Sequence, residues 1–149
     1  MSRNLLYYHL VFTPKYRQSV LDPEKERDLF AYIMGITNNL KGKLIRINAA
    51  LNHIHILVRL PTTICPADYV ANIKRASSLY IKDSRIFPKF WGWSREYSVE
   101  TVSPELIPRI KQYIANQKEH HKVESFEDEW LRCLSEEERS RWDMKFFDN

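Results

Sequence analysis

A chain of 149 residues, 44% of them hydrophobic, can bury a core without disulfide support, and we expect one domain over residues 1–149. Cys65 and Cys133 form no close-spaced metal or redox pair, and no apolar run approaches the roughly 20 residues that span a bilayer, so we expect a cytoplasmic protein outside the membrane. The net charge of +4 is unevenly distributed: residues 124–149 contain nine acidic and four basic side chains, and residues 1–123 contain ten acidic and nineteen basic side chains. The basic part favours a polyanionic partner but does not exclude an ordinary basic enzyme.

The first half of the chain predicts a strand, a helix and a hairpin. Residues 7–12 are rich in strand-forming aromatic residues and end before Pro14. A capping Asp22 followed by Pro23 is typical of a helix start, apolar residues then recur at helical spacing, and Gly42 ends the helix. Residues 44–51 and 53–60 predict two strands joined by a tight turn.

The second half predicts a helix over residues 66–83, a loop over 85–94, a strand over 97–102 and a helix over 108–118. Trp91 and Trp93 in the loop either stack on unpaired bases or anchor the loop by packing. Capping serines with acidic residues behind them predict an acidic helical extension at about 124–149. This order predicts an α+β, ferredoxin-like (split βαβ) antiparallel sheet with two helices on one face, a C-terminal helix with the candidate catalytic groups, and extra helices.

The third predicted strand carries two histidines one residue apart. Because side chains alternate along a strand, His53 and His55 share a face with Leu57 and Arg59, while the intervening apolar residues face the core. Two adjacent imidazoles are the start of a divalent-metal site. The alternative is a pair of strand histidines with another polar role.

The predicted helix over residues 108–118 offers a third ligand and a nucleophile. Tyr113 and Gln117 are four residues apart, so a Gln117 oxygen at a metal would hold the Tyr113 hydroxyl nearby. A cation there would stabilise a phenolate and polarise the phosphate that it attacks. The alternative is that Tyr113 packs at the edge of the core and Gln117 faces solvent.

Three segments together resemble one protein family. Residues 8–17 (YHLVFTPKYR), 52–58 (NHIHILV) and 113–122 (YIANQKEHHK) are similar, in order and spacing, to motifs of the single-tyrosine HUH transposases of the smallest bacterial insertion sequences, the IS200-like family. The resemblance extends from the first strand to Glu129. Two departures are Asn52, where the family commonly has an acidic residue, and the Glu96-Tyr97 pair, where it frequently has Gly-Tyr.

The resemblance implies a DNA transposase that nicks and rejoins single-stranded DNA hairpins at the ends of a mobile element. It implies that His53, His55 and Gln117 hold Mg²⁺ or Mn²⁺, and that Tyr113 attacks the scissile phosphate to form a 5′-phosphotyrosine. It also implies a homodimer, in which the tyrosine helix acts in cis or in trans. The alternative function is a domesticated protein that binds hairpin DNA without transposition.

Other polar residues receive weaker assignments. The candidate DNA contacts, chosen by charge and placement, are Lys15, Arg17, Arg59, Lys74 and Arg75. His9 shares a strand face with Tyr7 and Val11, and its alternatives are a structural role, which we expect, and a place near the site. We expect His120 and His121 to lie at a solvated helix end. An RNA-binding domain of this layout would carry aromatic residues on the free sheet face instead of histidines. A two-histidine phosphoesterase would need a second His-x-Ser/Thr motif, which the chain lacks.

Overall fold

The computed structural model describes residues 3–120 of the chain. The predicted acidic helical extension at 124–149 and His121 lie outside the described residues. Within residues 3–120, no helix is long and apolar enough to cross a membrane.

The described elements follow the predicted order of strand, helix, hairpin, helix, strand and C-terminal helices. They are β1 (Tyr7–Phe12), α1 (Glu26–Asn39), β2 (Lys43–Ala50), β3 (His53–Arg59), α2 (Pro66–Ser84), β4 (Ser98–Val102), α3 (Ile107–Ala115) and α4 (Gln117–His120), with short 3₁₀ turns at Lys15–Arg17 and Pro104–Leu106. The sheet order is β2-β3-β1-β4, and every neighbouring pair is antiparallel. The predicted α+β, ferredoxin-like architecture is therefore confirmed.

The main core lies between one sheet face and the helices α1 and α2. Ile54, Ile56 and Val58 of β3 are fully buried there, as alternation along the strand predicts. Leu29 of α1 and Ile73 of α2 belong to the same cluster of buried residues. This packing leaves the histidine side of β3 on the opposite face of the sheet.

A second, smaller cluster covers part of that opposite face. Leu57 of β3, Val102 of β4 and Ile114 of α3 are its buried members, and Tyr113 packs against it. The C-terminal helix predicted for this face therefore lies on it, next to the histidines.

Two predicted boundaries were wrong. The first helix begins at Glu26, because Asp22 is instead part of a turn in which its side chain accepts a hydrogen bond from the Glu24 backbone N–H at 2.9 Å. The helix predicted over residues 108–118 is two helices that meet at Asn116. Tyr113 therefore lies in α3 and Gln117 begins α4.

Candidate metal centre and nucleophile

The centre of the candidate site is a buried pair of imidazoles on β3. The exposed fraction is 0% for His53 and 3% for His55. Their ring centroids lie 5.0 Å apart, with the ring planes at 73°. The two imidazoles therefore share one face of the strand, as their spacing predicts, and lie together away from bulk water.

Both ring nitrogens of His53 face amide oxygens. Nδ1 lies 2.9 Å from the Asn52 Oδ1, and Nε2 lies 3.3 Å from the Gln117 Oε1. An amide oxygen only accepts hydrogen bonds, so the shorter contact favours the neutral tautomer with its proton on Nδ1, which keeps a lone pair on Nε2. Asn52 therefore supplies the acceptor that orients the ring, at the position where the family commonly has an acidic residue.

Gln117 faces that lone pair from the start of α4. Its Oε1 lies 3.3 Å from the His53 Nε2, and the residue is fully buried. Its amide nitrogen is directed toward the Tyr113 carbonyl oxygen at 3.5 Å, which points the amide oxygen at the histidine. Two electron-pair donors therefore face each other in a site closed to solvent.

A divalent cation fits this arrangement. Two donors bound to one ion at about 2.1 Å, in octahedral or tetrahedral geometry, lie roughly 3.0–3.4 Å apart, which includes the observed 3.3 Å. Within residues 3–120, no cluster of three His, Cys, Asp or Glu side chains is arranged to hold a metal. Among the described residues, the side chains that could hold a cation here are two imidazoles and an amide oxygen, those of His53, His55 and Gln117.

His9, for which sequence reasoning favoured a structural role over a place near the site, lies against His55. Its Nε2 lies 2.8 Å from the His55 Nδ1, and the two rings stack at 5.1 Å. Burial lowers the pKa of His9 to about 4, so the ring is neutral near pH 7 and its Nε2 can accept a proton from His55. That hydrogen bond would direct the lone pair of His55 to Nε2.

Tyr113 lies beside the histidines in the same chain. Its ring centroid is 5.8 Å from that of His55 and 6.4 Å from that of His9, with near-perpendicular ring planes in both pairs. The side chain is half-buried. The structure thus brings together all four residues that the sequence nominated for the site, His53, His55, Tyr113 and Gln117.

Two polar residues hold the junction between α3 and α4. Asn48 of β2 donates from Nδ2 to the Ile114 and Ala115 carbonyl oxygens at 2.9 and 3.2 Å. Lys118 donates to the Asn48 Oδ1 at 2.9 Å and forms an ion pair with Glu26 at 2.6 Å. Because Gln117 is adjacent to Lys118, these bonds fix the position of the candidate metal ligand. Sequence reasoning missed this support.

Of the five candidate DNA contacts, two lie at the histidine end of the sheet. Lys15 and Arg17 follow β1, whose last residue, Phe12, pairs with Ile54 next to His53. Both side chains are half-buried.

Arg59 lies at the opposite end of β3, six residues and roughly 20 Å from His53. It donates to the Asn4 carbonyl oxygen at 2.6 Å and lines a pocket of about 290 Å³ together with Lys41 and Lys43.

The remaining two candidates lie on α2. Lys74 donates to the carbonyl oxygens of residues 94, 95 and 96 at 2.7, 3.2 and 3.3 Å, so its three hydrogens are directed at the protein. Burial lowers the pKa of Lys74 to about 8, while Glu96 acts in the opposite direction. Arg75 is exposed and donates to the Asn72 side chain at 3.1 Å. Lys74 is therefore placed to hold the loop over residues 94–96.

Comparison with known proteins identifies the family. The family described as "Transposase IS200 like" matches residues 2–117. The transposase for insertion sequence element IS200 from Salmonella typhimurium is 28% identical over 121 residues, which cover 78% of this chain and 79% of that protein.

Two solved structures share the fold. The crystal structure of a Deinococcus radiodurans protein has a TM-score of 0.63 at 28% identity, and the match covers 78% of this chain and 93% of that one. A REP-associated tyrosine transposase bound to a REP hairpin has a TM-score of 0.60 at 14% identity, covering 81% and 74% of the two chains. With the family match over most of its length, this chain belongs to the IS200-like transposase family.

Proposed function

We propose that this chain is a metal-dependent endonuclease and strand transferase for single-stranded DNA, with hairpin-forming ends as its substrate and Tyr113 as its nucleophile. The observation that carries the proposal is the pair of facing donors, His53 Nε2 and Gln117 Oε1 at 3.3 Å, beside the Tyr113 ring. His53, His55 and Gln117 would hold Mg²⁺ or Mn²⁺. The cation would withdraw charge from the scissile phosphate and stabilise the leaving oxygen.

In the proposed reaction, the Tyr113 hydroxyl loses its proton and its oxygen attacks the phosphorus. The bond from phosphorus to the 3′-oxygen breaks, that oxygen takes up a proton, and the products are a 5′-phosphotyrosine and a free 3′-OH. Attack by another 3′-OH reverses the chemistry, forms a new phosphodiester and restores the tyrosine. Because the covalent intermediate conserves the phosphodiester bond energy, joining needs no ATP.

The DNA partner is supported by the family and by charge. The fold neighbour solved with a REP hairpin supports a hairpin as the ligand, and the basic remainder of this chain complements phosphates. Lys15 and Arg17, at the histidine end of the sheet, are the candidate contacts nearest to the site. A homodimer and a cytoplasmic location stay predictions.

Transfer of DNA onto Tyr113 tests the proposal directly. Purified protein is incubated with end-labelled hairpin DNA and Mn²⁺, and a protein-linked DNA band is sought on a denaturing gel. We expect the band with the unaltered chain and with Tyr32→Phe, a matched change of an exposed tyrosine on α1. We expect none with Tyr113→Phe or after chelation of the metal.

The second candidate function is hairpin binding without cleavage, for which the hairpin-bound fold neighbour is the supporting observation. A protein that retains hairpin DNA in a native gel, but forms no adduct with any hairpin and either metal, would favour this alternative.

A further inference from the structure

Two aromatic side chains project into solvent from adjoining loops at the histidine end of the sheet. Trp91 is 69% exposed and Tyr16 is 63% exposed, the largest exposures of any large hydrophobic side chain within residues 3–120. Exposing this much apolar ring surface to water has an unfavourable free energy, so an exposed pair of large rings indicates a binding surface. We call Tyr16 and Trp91 the aromatic pair.

Backbone hydrogen bonds hold together the two loops that carry the aromatic pair. The Lys15 backbone N–H donates to the Gly92 carbonyl oxygen at 2.9 Å, and the Ser94 N–H donates to the Thr13 carbonyl oxygen at 2.8 Å. Pro14 and Trp93 form an antiparallel bridge. Tyr16 and Trp91 each lie two residues from this bridge.

Buried neighbours direct Trp91 outward. Trp93 packs edge-to-face on Phe12 and Phe90, each at 4.9 Å between centroids, and donates to the Ser77 hydroxyl at 2.9 Å. Between the two tryptophans, Gly92 has φ +123°, a conformation that other residues rarely adopt. One tryptophan therefore anchors the loop while the other is held in solvent.

The backbone beneath Tyr16 is also unusual. Tyr16 and Arg17 have φ values of 61° and 51°, two successive left-handed residues that are not glycine. Such conformations are unfavourable for L-residues and concentrate at functional positions, where the surrounding structure maintains them. The surrounding structure thus holds Tyr16 in a backbone conformation that is unfavourable for this residue type.

The charge around the aromatic pair suits a nucleic acid. Residues 13–17 and 89–95 contain four basic side chains, Lys15, Arg17, Lys89 and Arg95, and no acidic one. Aromatic rings among cations are the usual means of binding unpaired bases and their phosphates.

The aromatic pair is also close to the candidate metal site. Thr13 follows Phe12, which pairs with Ile54, the residue next to His53. Three further residues reach at most about 11 Å to Tyr16. A DNA strand that crosses the candidate metal site would therefore reach the aromatic pair within a few nucleotides.

We infer that Tyr16 and Trp91 form a stacking platform for unpaired DNA bases that flank the cleavage position. This inference rests on the proposed function for its substrate. It adds that the protein distinguishes single-stranded flanks from the paired stem, because only unpaired bases offer a free face to the rings.

The test measures binding without chemistry, with every variant made in the Tyr113→Phe background. The probes are a fluorescently labelled hairpin with a short unpaired extension and the same hairpin with a blunt end. We expect Trp91→Ala to bind the extended hairpin roughly 5- to 100-fold more weakly and the blunt hairpin unchanged. Tyr16→Ala should act in the same direction, and Trp91→Phe, which keeps a ring, should retain most of the affinity.

Two further readouts separate stacking from other causes. The dependence of affinity on salt should not change in Trp91→Ala, because the ring neutralises no phosphate. Tyr32→Ala, which removes a partly exposed ring that stacks on Tyr80 of α2, should bind both probes normally.

Unchanged binding of Trp91→Ala to the extended hairpin would overturn the platform, and so would an equal loss on both probes. A change of oligomeric state in Trp91→Ala would overturn it in favour of a contact between copies of the chain. The adduct assay reports separately on the proposed function. If adducts form and Trp91→Ala binds normally, the platform alone is wrong; if no adduct forms but the extension-specific loss appears, the platform holds and the nuclease proposal fails.

Discussion

At the scale of single residues, His9 contacts His55, one of the candidate metal ligands. Its Nε2 is 2.8 Å from the His55 Nδ1, and burial keeps His9 neutral by lowering its pKa to about 4. We predict that His9→Phe, which keeps an aromatic ring but removes the acceptor, weakens Mn²⁺ binding by roughly 10- to 100-fold. Isothermal titration calorimetry of the DNA-free protein measures this loss.

His9→Gln supplies the matched comparison, because its amide oxygen can still accept a proton from His55. We expect it to retain more Mn²⁺ affinity than His9→Phe. Equal affinity of His9→Phe and the unaltered protein would show that His9 has only the structural role that the sequence suggested.

The residues of the site differ in how far sequence could predict them. Alternation along β3 placed His53 and His55 on one face, because that rule acts within a single strand. Tyr113 and Gln117 are only four residues apart, so they lie close together although the helix divides between them at Asn116. The contact of His9 with His55 depends on the β1–β3 register, in which Val11 pairs with His55. A single sequence does not specify a register between distant strands.

At the scale of elements, the junction of α3 and α4 positions both Gln117 and Tyr113. Asn48 donates to the last carbonyl oxygens of α3 and accepts from Lys118. We predict that Asn48→Ala lowers the free energy of unfolding by about 1–3 kcal/mol, because these groups lose their partners. It should also weaken Mn²⁺ binding, because Gln117 loses its support. Urea denaturation and calorimetry measure the two effects.

Asn39→Ala is the control for this prediction, since Asn39 is an exposed residue at the end of α1. It should leave Mn²⁺ affinity unchanged. If Asn48→Ala lowers stability while Mn²⁺ affinity stays normal, Asn48 supports the fold but does not position the metal ligand.

Local signals explain why element types were predicted better than element ends. Asp22 and Pro23 are typical of a helix start, but the turn that Asp22 forms with Glu24 uses the same side-chain chemistry. The split at Asn116 has a non-local cause, the hydrogen bonds from Asn48 on β2. Likewise, the sequence left two roles open for Trp91 and Trp93, and packing on Phe12 selects Trp93 as the anchor.

At the scale of the whole molecule, the sheet separates two layers of different size. Within residues 3–120, the α1–α2 side holds the larger cluster of buried residues, and the α3 side holds a cluster with three buried members, Leu57, Val102 and Ile114. Elements with little buried surface open at lower free energy than the main core. The proposed nucleophile, Tyr113, and one candidate metal ligand, Gln117, thus lie on the layer with the smaller cluster.

The contacts of α3 with the sheet address whether a single chain contains a complete candidate site. Tyr113 contacts His55 of its own chain, and Asn48 binds α3 of its own chain. We therefore predict action in cis: a mixture of His53→Ala and Tyr113→Phe proteins should form no more DNA adduct than either variant alone. In a dimer that exchanged tyrosine helices, the mixture would reconstitute one intact site. Recovery of the adduct on mixing, with both variants folded by circular dichroism, would establish the trans arrangement instead.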